Sequence, residues 1–238
     1  MTRLADLDDM VLRAINGLVG RSAAVDTLVG DFTDWNFFRC AWIVCILWWA
    51  WFKFQDSDSR LAIVSGILGL ICATVLSKTI QLVVFVHERP FITAAKAGLT
   101  VPASVVRDWD WGHGSSFPSD TATLHLALAT IVWSMSRRLG LAVFVWVALV
   151  VALPRLYMTY HYPSDLIGGA VLGMSCVLVA QRYRAHLKNG LLFRFEKTRP
   201  QLFYPILFLC TYQIVDAFSA AETGLRQAAR LARATLGQ

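Results

Sequence analysis

Six stretches of this chain are almost entirely apolar, residues 37–54, 61–86, 121–136, 139–153, 164–180 and 202–218, and only short charged breaks separate most of them. About 20 apolar residues cross the hydrocarbon core of a bilayer as a helix, and lipid offers no partner to an unpaired backbone amide. Such runs therefore predict an all-α polytopic bundle of about six transmembrane helices. The runs 121–136 and 139–153 are near the lower limit of length, so the Arg137-Arg138 hairpin between them must be tight, while Gln213 and Asp216 interrupt the last run. Composition agrees: 56% of the residues are hydrophobic and 16% charged, against about 25% charged in an ordinary soluble domain. Nine Trp and six Tyr suit helix ends that sit among headgroups.

Two flanking stretches read differently. Residues 4–29 place Leu7, Met10, Val11, Leu12, Ile15, Leu18 and Val19 at helical spacing beside acids and arginines, the pattern of an interfacial amphipathic helix that lies on the membrane within residues 1–36. Residues 220–236, with Arg226, Arg230 and Arg233, read as a basic surface helix following the last span, so that 202–238 form a final span and tail. Asp6, Asp8 and Asp9 argue against a cleavable signal peptide, which leaves the first span to target the chain. No internal repeat or linker divides the sequence, and one domain over 1–238 is expected.

The net charge of +6 does not point to nucleic acid, because Lys and Arg lie mainly between apolar runs and so act as topology signals. Lys53, Arg60, Arg137, Arg138, Arg182, Arg184, Lys188, Arg194, Lys197 and Arg199 fall on one side, which the positive-inside rule makes cytoplasmic. The segments 87–120 and 154–165 then share the outer face of the cell (inner) membrane, periplasmic if the host has two membranes. The five cysteines (Cys40, Cys45, Cys72, Cys176, Cys210) all fall inside apolar runs without metal-ligand spacing, and read as small core hydrophobes.

Three segments carry the polar chemistry. Arg155-Leu-Tyr-Met-Thr-Tyr-His161-Tyr-Pro-Ser-Asp165 joins one span to the next. A guanidinium holds phosphate bidentately, an imidazole attacks or shuttles a proton, and a carboxylate fixes the imidazole tautomer; alternatively, Asp165 simply caps a helix beginning near Leu166. Ser115-Ser116-Phe117-Pro118-Ser119-Asp120 precedes the third run, where a helix start offers free amides to an anion, or where Ser119 or Asp120 is an ordinary N-cap. His87-Glu-Arg89-Pro90-Phe91 ends the second run, with Lys78 about three turns earlier as either a functional cation or a snorkelling one.

Taken in order, these segments resemble the type 2 phosphatidic acid phosphatase superfamily, and most closely its bacterial undecaprenyl-diphosphate phosphatases. The family pattern is a lysine-to-Arg-Pro segment, a Pro-Ser-x-His segment and an Arg-x5-His-x3-Asp segment, and the resemblance spans roughly residues 61–180. It implies a phosphohistidine mechanism without metal or other cofactor, with an isoprenoid or phospholipid substrate drawn from the surrounding membrane lipids. His161 then corresponds to the nucleophile and Asp165 to its orienting partner. Arg89, Arg155, Lys78 and the backbone about Ser119, Asp120 and Thr121 correspond to the phosphate-binding set. This sequence departs from the pattern at Leu82, which holds the usual lysine position, at Pro154, where the family has serine, and at Thr121, where it has the acid histidine. His125, His87 or His113 is a possible substitute acid. Alternatively no acid is needed, because a diphosphate expels a monoester that leaves as an anion. The resulting expectation is a phosphatase acting on a polyprenyl diphosphate. The alternatives are a phosphotransferase to another lipid or a non-catalytic lipid-phosphate-binding protein. A transporter is disfavoured because the ionisable residues gather at one face and not at the midplane.

Overall fold

The computed structural model describes residues 3–54, 56–84, 88–103, 105, 115–189 and 191–216, and the described residues are helical wherever they are regular. The chain forms two compact units, 1–188 and 189–238. In the first unit, α1 (Arg3–Asn16) and α2 (Ala23–Asp34) precede α3 (Trp42–Lys53), α4 (Ser57–Val83), α5 (Pro90–Ala97), α6 (Asp120–Met135), α7 (Arg137–Tyr157) and α8 (Pro163–Arg182). The second unit holds α9 (Leu191–Thr198) and α10 (Pro200–Val215), joined by the Tyr204 hydroxyl donating to Glu196 Oε1 at 2.8 Å. The expected basic helix 220–236 lies outside the described residues.

Among the described residues, three helices, α4, α7 and α8, are long and apolar enough to cross a membrane. Each presents large apolar side chains outward, among them Leu68, Val75, Leu149, Ile167, Val171 and Leu178. A band of that size is unstable against water and is the natural surface toward lipid. The protein is an all-α membrane helix bundle. Cys45, Cys72 and Cys210 also lie on exposed faces and only Cys40 is buried, so most of the cysteines are not core fillers as expected. Thiols are apolar enough to face acyl chains.

Glycines set the helix spacing in the centre. A Cβ at Gly69 would meet Cys176 O at 2.8 Å, one at Gly169 would meet Ser119 O at 2.4 Å, and one at Gly173 would meet Thr123 O at 2.2 Å. These contacts let the backbones of α4, α6 and α8 touch, as small residues do between membrane helices. Gly169→Leu is therefore expected to lower the thermal midpoint of the detergent-solubilised protein by roughly 5 to 10 °C through overpacking. Val171→Leu, on the lipid face, should leave it unchanged in the same differential-scanning measurement.

The connections follow from local chemistry. One residue, Ser136, separates α6 from α7; its Oγ accepts from Leu139 N at 3.4 Å, and Gly140 lies against the Trp133 backbone. The expected amphipathic N-terminal helix is in fact two helices, because the chain turns at Gly20 with φ 79, which a side chain would resist. Within α7, residues 147–152 take π geometry just ahead of Pro154. Leu153 N donates back to Ala148 O, a wider turn that accommodates a proline lacking its own N–H. The extra residue turns everything after it, Arg155 included, by about 100° relative to an unbroken helix.

The two ends of the bundle differ. At one end Gln181 Nε2 donates to Ala62 O and Ser134 Oγ, and Arg184 pairs with Asp58 at 2.7 Å. At the other, Ser119, Arg89 and His161 come together under α1.

Candidate active site

The floor of this second end is the turn between α7 and α8. Thr159 adopts φ 56, an uncommon conformation for a β-branched residue, and its carbonyl accepts from Phe91 N at 3.0 Å. That bond docks the start of α5 onto the turn, and Phe91 packs its ring edge-on to Tyr160. Arg89, the residue before Pro90, is thereby carried to His161: its Nη1 lies 3.3 Å from His161 Nε2 and 3.5 Å from the Tyr160 carbonyl.

Because a guanidinium has only donors, Nε2 must offer a lone pair and the imidazole proton must sit on Nδ1. Nδ1 lies 3.6 Å from Asp165 Oδ2, slightly beyond hydrogen-bond length. The imidazole is 1% exposed and the carboxylate 0%. Burial, aided by the Arg89 guanidinium and opposed by Asp165, pushes the pKa of His161 below its ordinary 6.5, so the ring is neutral at pH 7. Asp165 also accepts from Tyr162 N at 2.8 Å, so the capping and orienting readings of this residue coexist in one side chain. The helix begins at Pro163, three residues before Leu166.

The second segment abuts the third through Ser119 N, which donates to Asp165 O at 3.0 Å. Ser119 is the N-cap of α6, its Oγ accepting from Ala122 N at 3.3 Å. Thr121 N donates to Asp120 Oδ1 at 2.8 Å. The amides of Ser119, Thr121 and Ala122 are thus engaged within the protein, and side-chain cations lie nearby. Lys78 Nζ lies 2.8 Å from Asp120 Oδ2, the two side chains 40% and 27% exposed, and the Asp120 charge is within coulombic reach of Lys78, Arg89 and His161. Exposure falls from the accessible Lys78–Asp120 pair through half-buried Arg89 to buried His161.

The Arg155 guanidinium stands over the ring of Tyr160, the residue before His161, 5.2 Å from its centroid. His125 is fully buried in α6 with Nδ1 2.7 Å from the Thr121 carbonyl. A carbonyl only accepts, so Nδ1 carries a proton that is engaged within its own helix. His87 and His113 lie outside the described residues.

Two site-building residues are not among the expected ones. Asp8 of α1 accepts from Ser164 N at 2.9 Å and from Ser164 Oγ at 2.5 Å, gripping the first turn of α8 next to Asp165. Gln81 donates to the Pro118 carbonyl at 2.7 Å and holds the second segment against α4. A glutamine in an apolar run is a usable signal, whereas an aspartate on an amphipathic helix is not.

Comparison with known proteins places these residues in context. A sequence profile described as the PAP2 superfamily matches residues 60–188. Undecaprenyl-diphosphatase BcrC of Bacillus subtilis (strain 168) is 27% identical over 165 residues, covering 69% of this chain and 77% of that protein. Bacitracin transport permease protein BcrC of Bacillus licheniformis is 21% identical over 176 residues, 73% of this chain and 79% of that one. The crystal structure of Aquifex aeolicus LpxE aligns with a TM-score of 0.50 at 19% identity, covering 73% of this chain and 94% of that chain, a likeness of fold.

Proposed function

The chain belongs to the PAP2 superfamily, whose profile spans more than half of it, and from that premise we propose that it is a lipid phosphatase removing the terminal phosphate of a polyprenyl diphosphate. The observation that carries this reading is the setting of His161: a buried imidazole whose Nε2 lies 3.3 Å from the Arg89 guanidinium and whose Nδ1 lies 3.6 Å from the Asp165 carboxylate. Arg89 shifts its N–H from Nε2 onto an incoming phosphate oxygen and uncovers the nucleophile. Nε2 attacks the terminal phosphorus, the bond to the bridging oxygen breaks, and the polyprenyl monophosphate departs with that bond's electron pair. Asp165 offsets the charge that develops on the ring. Water then attacks the phosphohistidine, releasing orthophosphate and restoring the imidazole.

Thr121 supplies no acid, which suits a diphosphate, whose leaving group departs as an anion, and not a monophosphate, whose alkoxide needs a proton. The name of the Bacillus subtilis relative supports the same substrate class. Thr121→His is expected to raise turnover of lipid monophosphates by about 10- to 100-fold, read as phosphate release from phosphatidic acid; an unchanged rate would count against a missing acid as the limitation. Transfer to another lipid shares the first half-reaction and differs only in what meets the phosphohistidine. Basic residues at the far end, Lys53, Arg60, Arg137 and Arg184, support an orientation in the cell membrane with the site facing outward.

The test is incubation of the purified chain with polyprenyl diphosphate labelled at the terminal phosphate. Orthophosphate release and an acid-labile phosphoprotein are expected. Binding without turnover of any lipid phosphate would instead indicate a lipid-binding member of the fold. The pH profile provides a further check. Attack needs neutral His161 and its pKa is lowered, so kcat/KM should stay level as pH falls through 6.5 and decline only below it. A His161-dependent decline beginning above 6.5 would contradict the buried-neutral assignment.

A further inference from the structure

The carboxylate of Asp120 is out of place in a site for an anion. It has no donor to offer a phosphate oxygen, yet it stands partly exposed with Oδ2 2.8 Å from Lys78 Nζ and Oδ1 held by Thr121 N at 2.8 Å. We infer that Asp120 is an internal counter-ion that sets how tightly the site holds phosphate, occupying Lys78 and offsetting the charge of Arg89 so that free orthophosphate is bound weakly and released. This rests on the phosphatase reading of the same site.

The argument is one of differential binding. A lipid diphosphate reaches the site with its tail already in the bilayer, so it keeps most of its hold when the pocket charge is reduced. Orthophosphate is held by charge and hydrogen bonds alone, and a fixed negative charge near its position weakens it without a compensating contact. The pinning of Oδ1 by Thr121 N makes the carboxylate a stationary element of the pocket and not a mobile surface acid. The partial exposure of both Lys78 and Asp120 leaves the pair accessible to an incoming anion, which shares Lys78 with Asp120 or takes it over.

Asp120→Asn keeps the shape and the Oδ1 acceptor while removing the charge. Asp120→Ser removes the charge with a smaller side chain that also suits a helix start, and stands in if the first variant folds poorly. Titrated with inorganic phosphate in a thermal-shift assay on the full chain in detergent, either variant is expected to bind phosphate about 10- to 100-fold more tightly than the parent, an interaction at this range discounted for its partial exposure. With Lys78→Met added, affinity should return toward the parental value. The inhibition constant of phosphate against polyprenyl diphosphate hydrolysis should fall by the same factor. Unchanged or weaker phosphate binding in a folded charge-removing variant would overturn the role of Asp120 even if the parent hydrolyses lipid diphosphates. Tighter phosphate binding in a chain that hydrolyses none would uphold it and overturn the phosphatase reading instead.

Discussion

Replacing His161 by alanine should abolish phosphate release from polyprenyl diphosphate, with a fall in kcat of at least about 10⁴-fold, as expected when a covalent nucleophile is lost. Among the described residues, no other imidazole approaches Arg89 as closely as His161, whose Nε2 lies 3.3 Å from Nη1. His125 is turned to its own helix carbonyl. The cations remain in the variant, so the lipid should still bind, with a dissociation constant changed by only a few-fold, while the acid-labile phosphoprotein disappears. Because the ring is almost completely buried, the truncation should also destabilise the fold by about 1 to 3 kcal/mol; circular dichroism of the variant separates that effect from loss of chemistry. Activity within tenfold of the parent in folded protein would remove His161 from the nucleophile's place.

Asp165→Asn should be nearly as damaging, for a different reason. Oδ2 of Asp165 both accepts from Tyr162 N at 2.8 Å and faces His161 Nδ1 at 3.6 Å. An asparagine that keeps its oxygen there preserves the cap that starts α8 and removes only the negative charge that offsets the charge developing on the ring. One that turns its amide nitrogen there gives up the cap, sets two N–H groups against each other and drives the ring proton to Nε2, where the lone pair is needed. A loss of roughly 10³- to 10⁴-fold in kcat is expected either way. The nitrogen chemical shifts of labelled histidine tell the two apart: a proton retained on Nδ1 means that charge was lost, and one moved to Nε2 means that the tautomer was. Activity within tenfold of the parent in folded protein would remove Asp165 from the site.

Much of this was legible before any coordinates. The apolar runs located α4, α7 and α8 to within a few residues, because a membrane demands both length and continuity of apolar side chains. Arg155, His161 and Asp165 stood out through their spacing at a span boundary. What escaped was set by geometry that leaves no compositional trace. The π turn at 147–152 reorients Arg155, yet Val-Ala-Leu-Val-Val-Ala reads as ordinary helix. The left-handed Thr159 that docks α5 looks like any threonine. Packing through Gly169 brings Asp165 O close enough to accept from Ser119 N. The resemblance groups Asp120 with the phosphate-binding set, and nothing in the sequence reveals that its carboxylate stands 2.8 Å from Lys78 Nζ.

The grip of Asp8 on Ser164 spans 156 positions of chain. At translation rates of about 5 to 20 residues per second, the first helix is made some 8 to 30 s before the residue it clasps. Throughout that interval its exposed leucines have the bilayer surface as their natural resting place. The final docking therefore waits for the helix that begins at Pro163 to be inserted. A nascent chain stalled before that point would carry Arg89 and Lys78 but no working centre, so competence should arrive in a single late step of biogenesis.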